Sequence, residues 1–234
     1  MAGSKEESHN TLHFIPLQML RNISTFFFVE SFRHTTSKLD AAAAETRRLG
    51  IFRSNELVKA GYSREYIKRL VHRGEIRQTA RGFYESVTFE GDHNQSLLEA
   101  TKRFPRSVVC LVSALQIHEI GTQAPYQMWL AIPRDYRYPK MDNTSSIRFC
   151  RFSTTSYSFG MIHHQVSGGT IPVYTAAKTI ADCFKYRNRI GLDVAIEALR
   201  NGWMDHKFSL AEIRESAKIC RVANVIQPYL EMLA

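Results

Sequence analysis

The residue types that could carry chemistry in this 234-residue chain are scattered rather than assembled. Cys110, Cys150, Cys183 and Cys220 stand thirty or more positions apart with no CxxC pair, so neither zinc-ligand nor dithiol spacing is present. Their apolar and helix-forming neighbours mark them as buried thiols of a reducing compartment. His163 and His164 are adjacent in a segment of strand character, where successive side chains point to opposite faces and do not share one metal. A nuclease centre would need carboxylates and a lysine set out along a strand. The nearest pairs are Asp135 with Lys140, Glu99 with Lys102 and Glu215 with Lys218, and charges spaced in this way usually belong to solvated helices or loops. No Walker loop, GxGxxG or GxSxG element occurs, and Gly168-Gly169 reads as a hairpin turn. The chain therefore reads as non-enzymatic, with no catalytic residue, no metal site and no cofactor.

What remains is charge. The sequence carries a net +9 and a pI near 9.5, an excess that favours polyanionic partners, nucleic acid before membrane surface. Between Arg47 and Arg81 ten basic residues face three acidic ones, a net +7 in one short window. From Gln95 to the C-terminus seventeen basic and eleven acidic residues give +6 over a far longer stretch. The concentration in the first window is what a docking surface for DNA requires.

The elements that must position those charges are legible. Leu39 to Arg48, rich in alanine, reads as a helix ending at Gly50. Ser54 is expected to cap a short helix from Asn55 to Ala60 with Leu57 and Val58 inward, and Ser63 a second helix from Arg64 to Arg73 closed by Gly74. A glycine-containing turn between two short helices is the helix-turn-helix pattern. Glu75 to Gln78 and Phe83 to Ser86 have strand character and flank a turn ending in Gly82, which makes a wing. On a wheel of about 100° per residue, Ile67, Leu70 and Val71 share one arc while Arg64, Glu65, Lys68, Arg69 and His72 occupy the other. Arg64 and Lys68, nearest the helix N-terminus, are placed for base edges, and Arg69 and Arg73 for phosphate. Arg77 and Arg81 on the wing are placed for an adjacent minor groove or backbone, with a plain solvent-exposed role equally open for Arg81. Arg53 and Ser63, beside the starts of the two helices, complete the expected DNA-binding set.

Downstream the pattern changes to mixed helix and sheet. Gln95 to Phe104 and Ser107 to Ile120 read as helices, Met128 to Ile132 and Ile147 to Phe152 as strands, and Met161 to Val166 with Thr170 to Val173 as a hairpin. Thr175 to Tyr186, Leu192 to Asn201 and a segment from Ser209 to Leu233 kinked at Pro228 read as closing helices. The first forty residues, with Phe26-Phe27-Phe28 and an internal Met19, show no sustained period. Mixed charge at Lys5, Glu6 and Glu7, and breaks at Pro16, Arg21, Asn22 and Glu30, argue against a secretory signal or a membrane span there.

Gly50 to Leu57, continuing through Gly61-Tyr62-Ser63-Arg64 and Leu70 to Ile76 to Arg81-Gly82-Phe83-Tyr84, resembles the N-terminal winged helix of AbiEi-type antitoxins, regulators of type IV toxin-antitoxin and phage-abortive-infection systems. Ser113-Ala114-Leu115, Leu130 to Pro133 and Ala177 to Asp182 are similar to the pattern of that family's C-terminal domain. Lys178 stands where the family pattern has arginine; the charge is kept, but the fork that grips a carboxylate such as Asp182 at two points is not. The resemblance implies a cytoplasmic repressor and antitoxin. Its implied partners are double-stranded DNA at inverted repeats of its own promoter, a nucleotidyltransferase-like toxin and a second copy of itself on DNA, with no membrane.

The expected architecture is α+β: an extension over residues 1–44, a winged helix-turn-helix over 45–91, and a mixed α/β interaction domain over 92–234. The alternative function is a stand-alone transcription factor whose second domain senses a ligand.

Overall fold

The computed structural model describes residues 37–91, 93–138 and 146–233; Met19, the Phe26-Phe27-Phe28 cluster and Lys140 lie outside the described residues. The chain opens on helix α1 (Lys38–Leu49), where Ser37 accepts the Asp40 N–H and Arg47 and Arg48 sit in the last turn, favourable to the helix dipole. Strand β1 (Ile51–Arg53), helices α2 (Ser54–Lys59) and α3 (Arg64–His72), and strands β2 (Ile76–Ala80) and β3 (Phe83–Ser86) follow. The three strands form an antiparallel sheet in the order β1-β3-β2. Ala42 and Ala43 of α1 are buried together with Phe52, Leu57, Ile67, Leu70 and Ile76. The expected division after residue 44 falls inside α1, and Ala42 and Ala43, just ahead of it, pack in this core. Strand β1, absent from the expected pattern, is too short to show an alternation, and its Ile51 and Phe52 are both buried.

The second layer is built on a five-stranded mixed sheet. After α4 (Gln95–Arg103) come β4 (Val108–Val109), α5 (Leu111–Ile117), β5 (Met128–Pro133), β6 (Ile147–Phe152), α6 (Thr154–Ser158), β7 (Met161–Val166) and β8 (Gly169–Tyr174). The strand order is β6-β5-β4-β8-β7. Leu130, Ile132, Phe149, Ile171 and Val173 face α4, while Ala131, Cys150, Phe152 and Tyr174 face a larger helical layer. This alternation is the strand period of two with both faces covered. The covering helices are α7 (Ala176–Lys185), α8 (Arg187–Ile190), α9 (Leu192–Met204), α10 (Leu210–Cys220) and α11 (Ala223–Glu231). Among the described residues no helix is long and apolar enough to cross a membrane. The architecture is a winged helix-turn-helix followed by a mixed α/β body.

Two expectations change here. Val108 and Val109 do not belong to a helix: Val109 pairs with Leu130 on one side and Val173 on the other, at the centre of the sheet, where β-branched residues fit the pleated surface. The C-terminal segment breaks at Arg221, in the left-handed region at φ 60°, and Pro228 lies inside α11 without ending it. The Val222 N–H returns to the Ala217 carbonyl at 2.8 Å, closing α10 in the manner usually left to glycine.

The two layers meet at Phe89 and Lys102. The Phe89 ring lies against Gly50, at φ 61°, and against Gly168, where an added Cβ would come within 2.9 Å of it. Lys102 of α4 contacts the Ile51 carbonyl, the Gly168 carbonyl at 3.4 Å and the Glu56 carboxylate at 3.2 Å.

Candidate nucleic-acid interface

The helix pair is fixed by its own backbone bonds. Glu56 Oε1 accepts the Arg53 N–H at 2.8 Å, so α2 starts one residue earlier than expected, with Arg53 at the cap and Ser54 as its first residue. The Ser54 N–H bonds the Gly82 carbonyl at 3.1 Å, tying the tip of the wing to the head of α2. Gly61, at φ 94°, lets the chain reverse, and the Tyr62 N–H closes on the Leu57 carbonyl at 3.1 Å. Ser63 caps α3 by position only: its hydroxyl makes no cap bond and is exposed.

Ile67 and Leu70 anchor α3 in the core. Val58 and Val71, expected inward, are both 42% exposed; each helix is short, and one or two buried positions suffice to hold it. The outer face of α3 presents Arg64, Glu65, Lys68, Arg69 and His72 to solvent. All eight sequence-derived site residues are exposed: Arg53, Ser63, Arg64, Lys68, Arg69, Arg73, Arg77 and Arg81.

Their partners sort them. Lys68 and Arg81 have no ion pair among the described residues. Arg64 donates to the neutral Asn55 Oδ1 at 3.2 Å, a bond that orients the guanidinium without cancelling its charge. Arg53 lies 5.1 Å over Phe83 and Arg69 5.8 Å over Tyr66, so both keep their charge for a ligand. Arg73 is different: it pairs with Asp40 at 3.0 Å and Glu75 at 2.9 Å, bracing α1 against the end of α3. Glu75 also takes Arg47 at 3.2 Å. The hydrogen bonds from Ser37 and Arg73 hold the Asp40 carboxyl below its ordinary range.

Arg77 is likewise engaged, at 2.8 Å from Glu85. Glu85 is almost fully buried, and its second oxygen accepts from Gln95 Nε2 at 2.7 Å. This carboxylate, not among the site residues expected from sequence, ties the wing to the first residue of α4. Its signal was faint: an acid on an otherwise apolar strand face.

In the α/β body, Lys178 pairs with Asp182 one turn on, both fully buried. The ammonium lies 4.7 Å over Phe152 and 4.4 Å over Tyr174, while Cys220 Sγ donates to the other Asp182 oxygen at 3.2 Å. Burial raises the Asp182 pKa against the pull of Lys178, and burial beside that carboxylate pushes the Cys220 thiol up to about 12. All four cysteines are buried free thiols, and the described residues contain no cluster of three metal-ligating side chains. Lys102, three residues from Glu99, contacts Glu56 and two backbone carbonyls.

No curated protein matches the chain. Residues 40–87 match the family model described as "Transcriptional regulator, AbiEi antitoxin", a span that begins within α1 and ends just after β3. The winged-helix segment of this chain is thus similar to the AbiEi antitoxin regulators over the elements that carry the exposed cationic helix.

Proposed function

We propose that the protein is a transcriptional regulator that inserts α3 into the major groove of its own promoter and acts as the antitoxin of a type IV toxin-antitoxin pair. The observation that carries the reading is α3 itself: a helix held by Ile67 and Leu70, with Arg64 and Lys68 exposed near its N-terminus and a wing tied to the preceding helix. Residues at the N-terminus of a recognition helix are those that enter the groove. Arg64 and Lys68 read base edges, Arg53, Ser63, Arg69 and Arg81 contact phosphate or sugar, and Arg73 and Arg77 position the surface through their carboxylates. The similarity to the AbiEi antitoxin family supports both the repression and the control of a toxin. The α/β body carries the second activity, toward a nucleotidyltransferase-like toxin encoded beside it.

Co-expression tests the pairing. Cells producing the neighbouring toxin receive the full chain, the chain lacking residues 92–234, or the Arg64→Ala, Lys68→Ala double variant. Rescue by the full chain and the double variant, and none by the truncated chain, is the expected result. Rescue by the truncated chain, or failure of the folded double variant, contradicts the division between the two activities. Absence of any toxin-like neighbour favours the solitary regulator.

A further inference from the structure

A basic surface outside the winged helix lies beside β6, the outermost strand of the five-stranded sheet among the described residues. One cavity of about 640 Å³ is lined by Arg134, Arg151, Lys185, Arg187 and Arg221 with no carboxylate among its lining. None of these cations forms an ion pair among the described residues. The start of α11, where Val222 supplies no side-chain cap, opens on the same cavity. A second cavity of about 540 Å³ is lined by Tyr126, Trp129, Tyr138, Phe149, Arg148 and Arg189, again without a carboxylate. One contact links the two linings: the Arg151 guanidinium of the first sits 4.8 Å over the Tyr138 ring of the second. Tyr126 is 86% and Tyr138 51% exposed, unusual for side chains of such apolar area.

From this juxtaposition of cations with the open Tyr126 ring and the half-exposed, Arg151-backed Tyr138 ring we infer that the β6 edge binds a single-stranded nucleic acid, separately from the duplex site on α3. Cations following the backbone and rings stacking the bases are the two components such binding needs. A duplex hides the base faces that Tyr126 and Tyr138 would stack, and a mononucleotide leaves most of seven cations unpaired. The site is not an extension of the winged-helix surface. Gly168, in the β7-β8 turn, is the part of the sheet that touches Phe89 and Leu49, and β7 stands four strand spacings, about 19 Å, from β6.

The test is fluorescence anisotropy of the full chain with a labelled unstructured oligoribonucleotide of about twelve residues at several salt concentrations. Four proteins are compared: the parent, Arg134→Ala with Arg151→Ala and Arg189→Ala, a charge-matched control with Arg200→Ala, Arg214→Ala and Lys218→Ala, and Arg64→Ala with Lys68→Ala. Melting curves confirm that each is folded. The β6-edge triple variant is expected to lose at least about tenfold in affinity and to show a salt slope shallower by about 2, the effect of three lost phosphate contacts on a single strand. The control and the α3 variant should bind as the parent does. Equal loss in the control, no loss in the β6-edge variant, loss confined to the α3 variant, or equal competition by a hairpin duplex or a mononucleotide would overturn the inference. Because the α3 variant is scored separately on operator duplex, failure here and failure of the DNA-binding reading are distinguishable.

Discussion

Lys102 and Glu56, 3.2 Å apart, join the cap of the first helix of the helix-turn-helix to the helix that lies on the second sheet. The same glutamate holds the Arg53 N–H with its other oxygen, so one carboxylate both starts α2 and ties it to the α/β body. Lys102→Met removes the ion pair and two carbonyl contacts at once. The expected cost is about 1–3 kcal/mol, with faster hydrogen exchange at Arg53 and Ser54. Unchanged exchange there would show that Phe89 alone sets the junction.

Deletion of residues 1–36 should leave operator affinity within about twofold, whereas deletion of 1–44 removes Ala42 and Ala43 from the winged-helix core and the Asp40 partner of Arg73. Thermal melts of the two truncations should separate by several degrees. Coincident melts would place α1 outside the folding unit.

Much of the candidate site was legible because its signals are local. The Arg64–His72 helix, the Gly61 turn and the Arg81-Gly82 wing tip are each written within a few residues. Strand β1 was hidden by its three-residue length, and Val58 and Val71 were misplaced because a wheel does not say how wide a face the core covers. Nothing local marks the β6 edge: Arg134, Arg151, Arg187 and Arg221 come together only through a sheet order in which β5 and β6 lie parallel and α10 returns to them. The roles of Arg73 and Arg77 depend in the same way on Asp40 and Glu85, thirty-three and eight residues away.

The buried Lys178–Asp182 pair gives an asymmetric expectation. Asp182→Asn leaves an ammonium unpaired in the core and should cost about 3–5 kcal/mol, while the double change Lys178→Met, Asp182→Leu should cost much less. Denaturant titration of the three proteins decides it. A double variant as unstable as the single one would mean that Cys220 and the rings depend on the charges themselves.

His118 bonds the Tyr174 carbonyl through Nε2 at 2.6 Å, and burial first, then the neighbouring His164 and Lys207 charges, depress its pKa. A depressed histidine binds fewer protons folded than unfolded, so its contribution is complete above about pH 6.5 and is lost as pH falls toward the folded value. The melting temperature of His118→Gln should therefore fall less steeply than the parent's below about pH 6.5. Parallel curves would assign the acid sensitivity to other groups.

The proposed division, in which Arg64 and Lys68 read DNA while Arg73 positions the surface, is tested by a promoter-fragment titration at several salt concentrations. Arg64→Ala and Lys68→Ala should each cost about 1–3 kcal/mol on the operator and erase preference over scrambled sequence. Arg73→Ala should lower the melting temperature and leave the salt slope within a fraction of the parent's. Unchanged operator preference in a folded Arg64→Ala, Lys68→Ala double variant would contradict the account.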